Sequence, residues 1–160
     1  MTADQLVVVA GASGGTGHEI LRLLDGRDPR VRALTRDDGK RDTLHRRGAD
    51  EVVVCDLLTG EGLDAAVDGA DVVLSAVGST PEQVLTADAF VDGDGNVALL
   101  DAAVDAGAEA FVMESALGVG DDDATLLARV FDAAIGPIQA AKAEAEAALR
   151  DADVRHTILR

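Results

Sequence analysis

From Val7 to Ile20 the chain reads VVVAGASGGTGHEI, an apolar run that breaks into a turn with four glycines and then takes up helical spacing. A strand that turns into a helix across so few residues opens a βαβ unit, which commits the chain that follows to an α/β arrangement. The remaining sequence keeps that rhythm. Apolar strand candidates run over Gln5–Ala10, Val31–Thr35, Glu51–Cys55, Val72–Ala76, Ala110–Met113 and Arg155–Leu159. Helical candidates lie between them at Gly15–Leu24, Lys40–Arg47, Gly62–Val67, Asn96–Ala106 and Pro137–Arg150.

Continuous apolar strands such as VVVA and DVVLSAV suit a parallel sheet buried on both faces by helices. The expected fold is therefore a three-layer αβα doubly wound parallel sheet of strand order 3-2-1-4-5-6. At 160 residues one such domain accounts for the whole chain, and no linker, repeat or low-complexity tract argues for a second. Two longer connections interrupt the series, Gly78–Gly95 after the fourth strand and Ala116–Gly136 after the fifth, the latter with a helical pattern over Thr125–Ala134. Both follow carboxyl ends of strands, where doubly wound sheets open their ligand crevice.

The chemistry of the opening turn follows from its residue types. In Gly11-Ala12-Ser13-Gly14-Gly15-Thr16-Gly17 the first glycine serves a sharp exit from the strand, Gly14 a close backbone approach to phosphate, and Gly17 close packing of helix on sheet. Free N–H groups at the helix start face an anion, and Gly15 stands among them while Ser13 and Thr16 offer hydroxyl donors. Without a ligand the same residues make a tight βα turn. Their position after a strand, before a helix and at the head of the βαβ series favours a dinucleotide.

The tip of the second strand, VRALTR, decides which dinucleotide. Sites that select NAD place an acid there for the adenosine ribose, whereas this chain offers Thr35 and Arg36. Arg36 suits a 2′-phosphate, with Arg32 as a second contributor, so NADP(H) is favoured and NAD(H) stays possible through Asp37 or Asp38. Asp56 and Leu57 after the third strand can cover adenine, while Ala76, Val77 and Gly78 after the fourth leave a small-residue path beside the ribose and nicotinamide.

These motifs make the chain similar to the NmrA-like, atypical short-chain dehydrogenase/reductase family. The resemblance rests on GASGGTG at 11–17, VRALTR at 31–36, CDL at 55–57, DVVLSAVGS at 71–79, GNVALLDAAVDAGAEAFVMES at 95–115 and AKAEAEAALRDADVRHTILR at 141–160. It implies a cofactor-binding protein, an NADPH-dependent oxidoreductase of a small carbonyl or conjugated cyclic compound, or alternatively a redox sensor that signals bound cofactor to a regulatory partner. It carries over Ser115 as a residue near the nicotinamide or substrate carbonyl, and Lys142 as the lysine of the nicotinamide ribose. The phenol that usually accompanies such a lysine is missing: Ile138 stands four residues before Lys142, and the chain contains no tyrosine. Ser115, Glu114, a water or the substrate itself is left to handle the proton, and Lys142 has the alternative of pairing with Glu146 one helical turn on. Related proteins continue past the last strand into a smaller substrate-covering region, so beyond Arg160 the pocket is either completed by further sequence or unusually open.

Several classes recede on composition. Cys55 alone makes no disulfide framework, and at the end of a Val-rich strand it reads as packing. His18, His45 and His156 show no metal spacing, and Asp121–Asp123 match no calcium loop. MTADQL lacks the pattern of a secretory signal, and no stretch reaches the roughly 18 apolar residues of a membrane span. Thirty acidic residues against fourteen basic ones give a formal charge of -16, with lysine only at Lys40 and Lys142. That field repels nucleic acid and anionic membranes and is screened by salt, as expected of a cytoplasmic protein from a salt-loving organism; oligomeric state is left open. The urea midpoint is expected to rise between dilute and molar salt, and a midpoint that stays level or falls would remove the salt-adaptation reading.

Overall fold

Short runs of β-branched and aliphatic residues become the strands of the chain, and the amphipathic segments between them become the covering helices. The structure is a computed structural model that describes residues 2, 4–79, 90–117, 119 and 126–160, and the side chains of these except 126–135. Its order is β1 (Leu6–Ala10), α1 (Gly15–Leu24), β2 (Arg30–Thr35), a 3-10 turn at Asp38–Lys40, α2 (Arg41–His45), β3 (Glu51–Val54), α3 (Leu63–Val67) and β4 (Val72–Ser75). A π-turn at Val91–Gly95 then leads into α4 (Asn96–Asp105), followed by β5 (Ala110–Glu114), α5 (Leu126–Asp151) and β6 (Arg155–Leu159).

All six strands are parallel in the order β3-β2-β1-β4-β5-β6, as the alternating pattern predicts. Register places Val7 opposite Val31 and Val72, and continues through Val73 opposite Phe111 to Phe111 opposite His156. Parallel pairing thus brings the carboxyl ends of β1, β2 and β4 to the same edge of the sheet.

Alternation along the strands builds two cores. Val7, Val9, Val31, Ala33 and Val52 pack with Leu21 of α1 and Leu44 of α2 on one face. On the other, Val8, Val73, Phe111 and Met113 pack with Leu63 of α3, Leu99 of α4 and Leu149 of α5. On the α1 side, the half of the sheet made by β4, β5 and β6 carries Leu74, Val112 and a Leu159 that is 55% exposed.

The fifth helix departs from expectation. The pattern suggests two pieces, over Thr125–Ala134 and Pro137–Arg150, because proline removes a helical N–H and crowds the preceding turn. The structure runs α5 continuously from Leu126 to Asp151 with Pro137 inside it, one missing hydrogen bond being outweighed by the packing of Ala145 and Leu149 on the sheet. Cys55 and Ala76 fall just beyond their strands. No helix among the described residues is long and apolar enough to cross a membrane.

Phe111 is 1% exposed at the centre of the larger core. Phe111→Ala should therefore lower unfolding free energy by about 3–5 kcal/mol, read as a reduced urea midpoint at unchanged slope.

Candidate functional site

The glycine turn is shaped by contacts that leave no room for side chains. Gly11 has φ +74°, and a Cβ built on it would stand 2.2 Å from the Ala76 carbonyl oxygen, so β1 leaves the sheet pressed against the end of β4. A Cβ on Gly17 would stand 2.2 Å from the Gly11 oxygen, which brings the first turn of α1 down onto the same loop. Gly14 donates to the Gly11 carbonyl at 2.9 Å, and the first helical bond is His18 to Gly14 at 3.0 Å. The amides of Gly15, Thr16 and Gly17 precede that bond, no side chain caps the helix, and Gly14 and Gly15 are exposed. Uncapped N–H groups on an open backbone fit a pyrophosphate, and the helix dipole adds to the attraction.

At the neighbouring tip, Ser13 Oγ lies 3.4 Å from Thr35 Oγ1, and Thr35 accepts from the Asp37 amide at 3.1 Å. Asp37 caps the 3-10 turn by accepting from Gly39 N at 2.9 Å, and Asp38 pairs with Arg41 at 2.5 Å. Both acids that can reach a ribose thus have partners within the turn, while Arg36 is exposed and makes no hydrogen bond or ion pair among the described residues. Arg32 is not a second phosphate ligand. Its side chain is 11% exposed, pairs with Glu51 at 2.8 Å and donates to the Asp68 carbonyl at 2.7 Å, which ties β2 to β3 and to the end of α3. The Arg32 hydrogen bond also holds the Glu51 carboxyl below its usual range.

Beyond β3, Asp56 accepts from the amides of Leu58 and Thr59 and shapes its own turn. Leu57 is 7% exposed and belongs to the core, so the apolar surface at this point comes from the exposed Leu58 instead. Cys55 is buried, and desolvation followed by the charge of Asp56 pushes its thiol up to about 11, which suits a packing role. Ala76, Val77 and Gly78 line up after β4 beside Gly11, with Gly78 exposed.

Ser115 follows β5, where its amide bonds the Leu159 carbonyl at 2.7 Å. Its hydroxyl donates to Glu146 Oε1 at 2.5 Å. Glu146 is 1% exposed on α5 and also accepts from Arg150 and Arg160. The Arg160 hydrogen bond, outweighing desolvation and helped by Ser115 and Arg150, holds its carboxyl at about 2. Glu114 receives the Thr16 hydroxyl at 3.2 Å, closing one side of a cavity of about 340 Å³ between α1 and the β4–β6 half of the sheet.

Lys142 does not pair with Glu146. Its Nζ lies 3.0 Å from Asp92 Oδ1 in the π-turn before α4, with the two side chains 12% and 1% exposed. Asp92 Oδ2 accepts from the Ser79 amide at 2.7 Å, Asn96 donates to the Asp92 carbonyl at 2.9 Å, and Ser75 donates to Asn96 at 2.5 Å. Asp92, Asn96 and Ser75 escaped sequence reasoning, as did the bond from Ser115 to Glu146, a residue the sequence offered only as a partner for Lys142. Asp92 lies in the Gly78–Gly95 interruption that pointed to this crevice, yet nothing in a run of Asp and Gly tells which carboxylate turns inward. Residues 80–89, 118 and 120–125 of the two interruptions lie outside the described residues.

A parallel sheet of this order with an uncapped glycine turn at its switch point defines a Rossmann-type dinucleotide-binding protein. The chain belongs to the NAD(P)H-binding family, which it matches over residues 11–160, and NAD(P)(H) is its cofactor. It is 32% identical over 124 residues to an NAD(P)H azoreductase of Xenophilus azovorans, covering 78% of this chain and 40% of that protein. With the uncharacterized sugar epimerase YhfK of Bacillus subtilis it shares 28% identity over 155 residues, covering 96% of this chain and 70% of that one. Among solved structures, ChuY, an anaerobillin reductase from Escherichia coli O157:H7, superposes with a TM-score of 0.80 at 24% identity over 98% of this chain and 72% of its own. The triphenylmethane reductase of Citrobacter sp., complexed with NADP(H), gives 0.69 at 21% identity over 96% and 48%. At these identities the structural likeness establishes the fold. The chain spans 40% of the length of the azoreductase and 70% of that of YhfK.

Glu146 makes acid stability a readout of the Ser115 cluster. Its folded value of about 2 lies below the ordinary 4.5, so the stability it contributes is fully present above about 4.5 and is lost as pH falls towards 2. Glu146→Gln should lower the midpoint at neutral pH and flatten the loss across that window, measured by urea unfolding over the same range.

Proposed function

We propose that the chain binds NADP(H) in preference to NAD(H) as the cofactor-holding part of an NmrA-like oxidoreductase acting on a small carbonyl or conjugated cyclic compound. The observation that carries the preference is the tip of β2, where Asp37 and Asp38 are engaged within their own turn and Arg36 stands exposed beside the crevice. A guanidinium there meets a 2′-phosphate with two parallel hydrogen bonds. The first turn of α1 holds the pyrophosphate, Asp56 and Leu58 border the adenine, and Ala76 to Gly78 border the distal ribose. The azoreductase relative, which its name ties to NAD(P)H, supports a reductive role.

The bound cofactor supplies a hydride, and the chain's own side chains favour certain acceptors. The sequence holds no tyrosine, and the Ser115 hydroxyl donates its hydrogen bond to Glu146. An acceptor that spreads negative charge over a conjugated system and takes its proton from solvent suits this site better than an isolated ketone. A second reading, a cofactor-responsive regulatory protein without turnover, is favoured by the same missing phenol. The acidic surface suits the cytoplasm of a salt-loving cell in either case.

Calorimetric titration in molar salt with NADPH, NADP, NADH and NAD tests the preference. The phosphorylated pair should bind at least about tenfold tighter, and Arg36→Ala should abolish that margin while leaving NADH binding unchanged. Equal or tighter NADH binding by the unmodified protein would remove Arg36 from the site. A screen of quinones and carbonyls, followed by NADPH absorbance, then separates reductase from sensor.

A further inference from the structure

We infer that Asp92 is a positioning residue for the distal ribose of the cofactor: it holds the Lys142 ammonium at the end of β4, where the two sugar hydroxyls arrive. The inference rests on the reading of the crevice as the NAD(P)H site.

The geometry runs from the phosphate turn outwards. Strands β2 and β3 lie on one side of β1, and β4 and β5 on the other. With the adenosine end at β2 and the pyrophosphate on α1, the distal half of a dinucleotide falls across the tip of β4. Gly11 abuts Ala76 there, and two residues further Gly78 is exposed, with Asp92 Oδ1 3.8 Å from where its Cβ would be. Lys142 Nζ sits 3.0 Å from that same oxygen. An ammonium has three donors, and among the described residues Asp92 takes one of them. A ribose diol accepts two.

The placement is built, not incidental. Lysine has a flexible four-carbon stem, and in a chain with thirty acidic residues an unrestrained ammonium has many exposed carboxylates to choose from. The structure leaves the Lys142 side chain 12% exposed and its partner 1% exposed. Asp92 is immobilised through the Ser79 amide on its other oxygen and, at its backbone carbonyl, through Asn96, which Ser75 holds in turn. The turn and the helix are also locked together next to the pair, since a Cβ on Gly93 would stand 2.9 Å from the Ala141 side chain. A carboxylate that served packing alone would not be expected at this depth, where an unpaired charge is costly and an apolar pair of similar volume is often no less stable.

The test compares whole cofactors with pieces that lack the distal ribose: NADPH with adenosine 2′,5′-bisphosphate, and NADH with ADP, each by calorimetry on the folded chain. Asp92→Asn and Lys142→Met should each weaken the preferred whole cofactor about tenfold and leave its truncated counterpart unchanged, as loss of a charge-assisted hydrogen bond predicts. The double variant should be no weaker than either single one, because both remove the same contact. Asp92→Glu keeps the charge but shifts the carboxylate by a methylene; it should show the same selective loss, and it stands in if Asp92→Asn does not fold. Equal losses for whole and truncated ligands, additive losses in the double variant, or unchanged NAD(P)H binding in either Asp92 variant would overturn the assignment. Absence of binding by all four ligands to the folded unmodified protein would instead overturn the cofactor reading beneath it.

Discussion

The contact between Gly11 and the carbonyl of Ala76 is the constraint on which the carboxyl edge of the sheet depends. Any Cβ at that point would occupy the space of the β4 backbone, so only glycine lets β1 turn away while its neighbour ends beside it. Gly17 repeats the condition one layer up by resting α1 on Gly11. Together they bring an uncapped helix terminus, the exit of β4 and the start of the small-residue path into one crevice. The sheet order then does the rest, since it sets β2 and β3 on one side of that crevice and β4 and β5 on the other.

Burial of polar groups marks the same edge. Thr35, Ser75, Asp92, Asn96 and Glu146 are the buried polar residues among those described, and each takes part in a hydrogen bond near a strand's carboxyl end. A buried polar side chain is costly unless its bonds are made, and here no described buried atom lacks a partner. In a chain so short of cations, Lys142 goes to Asp92 while Arg150 and Arg160 converge on Glu146. Two buried carboxylates thus hold side chains at the β4–β5 end of the sheet, Asp92 an ammonium and Glu146 a hydroxyl.

The sheet order and the tight glycine turn were legible in the sequence because both depend on local patterns: apolar runs of strand length, helical spacing between them, and glycines at positions where a Cβ would collide. The partners of the site residues were not. Lys142 and Glu146 stand at the spacing of a helical ion pair, which shows that they can meet but not that a better acid waits across the fold. Asp92 and Ser115 reach α5 from other segments, Ser115 across 31 positions of sequence. Arg32 is a candidate second phosphate ligand in the sequence because it shares the VRALTR stretch with Arg36, yet Glu51, opposite it in the β2–β3 register, claims it. The continuous α5 hid behind Pro137, a local rule that packing of the helix on the sheet overrode.

The proton of Ser115 constrains the chemistry further. With its carboxyl held at about 2 by Arg160, Glu146 accepts the hydrogen bond of the Ser115 hydroxyl as a carboxylate near neutral pH. What Ser115 then presents to the crevice is a pair of oxygen lone pairs, which can accept from a ligand but cannot polarise a carbonyl as a donor does. Glu114 beside it is likewise supplied with a hydrogen bond by Thr16, and it too offers only acceptors when ionised. Positive charge lies close by in Arg160, which lines the same cavity, and in Lys142, which pairs with Asp92. For the function proposed above, a substrate that carries its own conjugation and a hydroxyl or N–H to give to Ser115 suits these acceptors better than an isolated carbonyl.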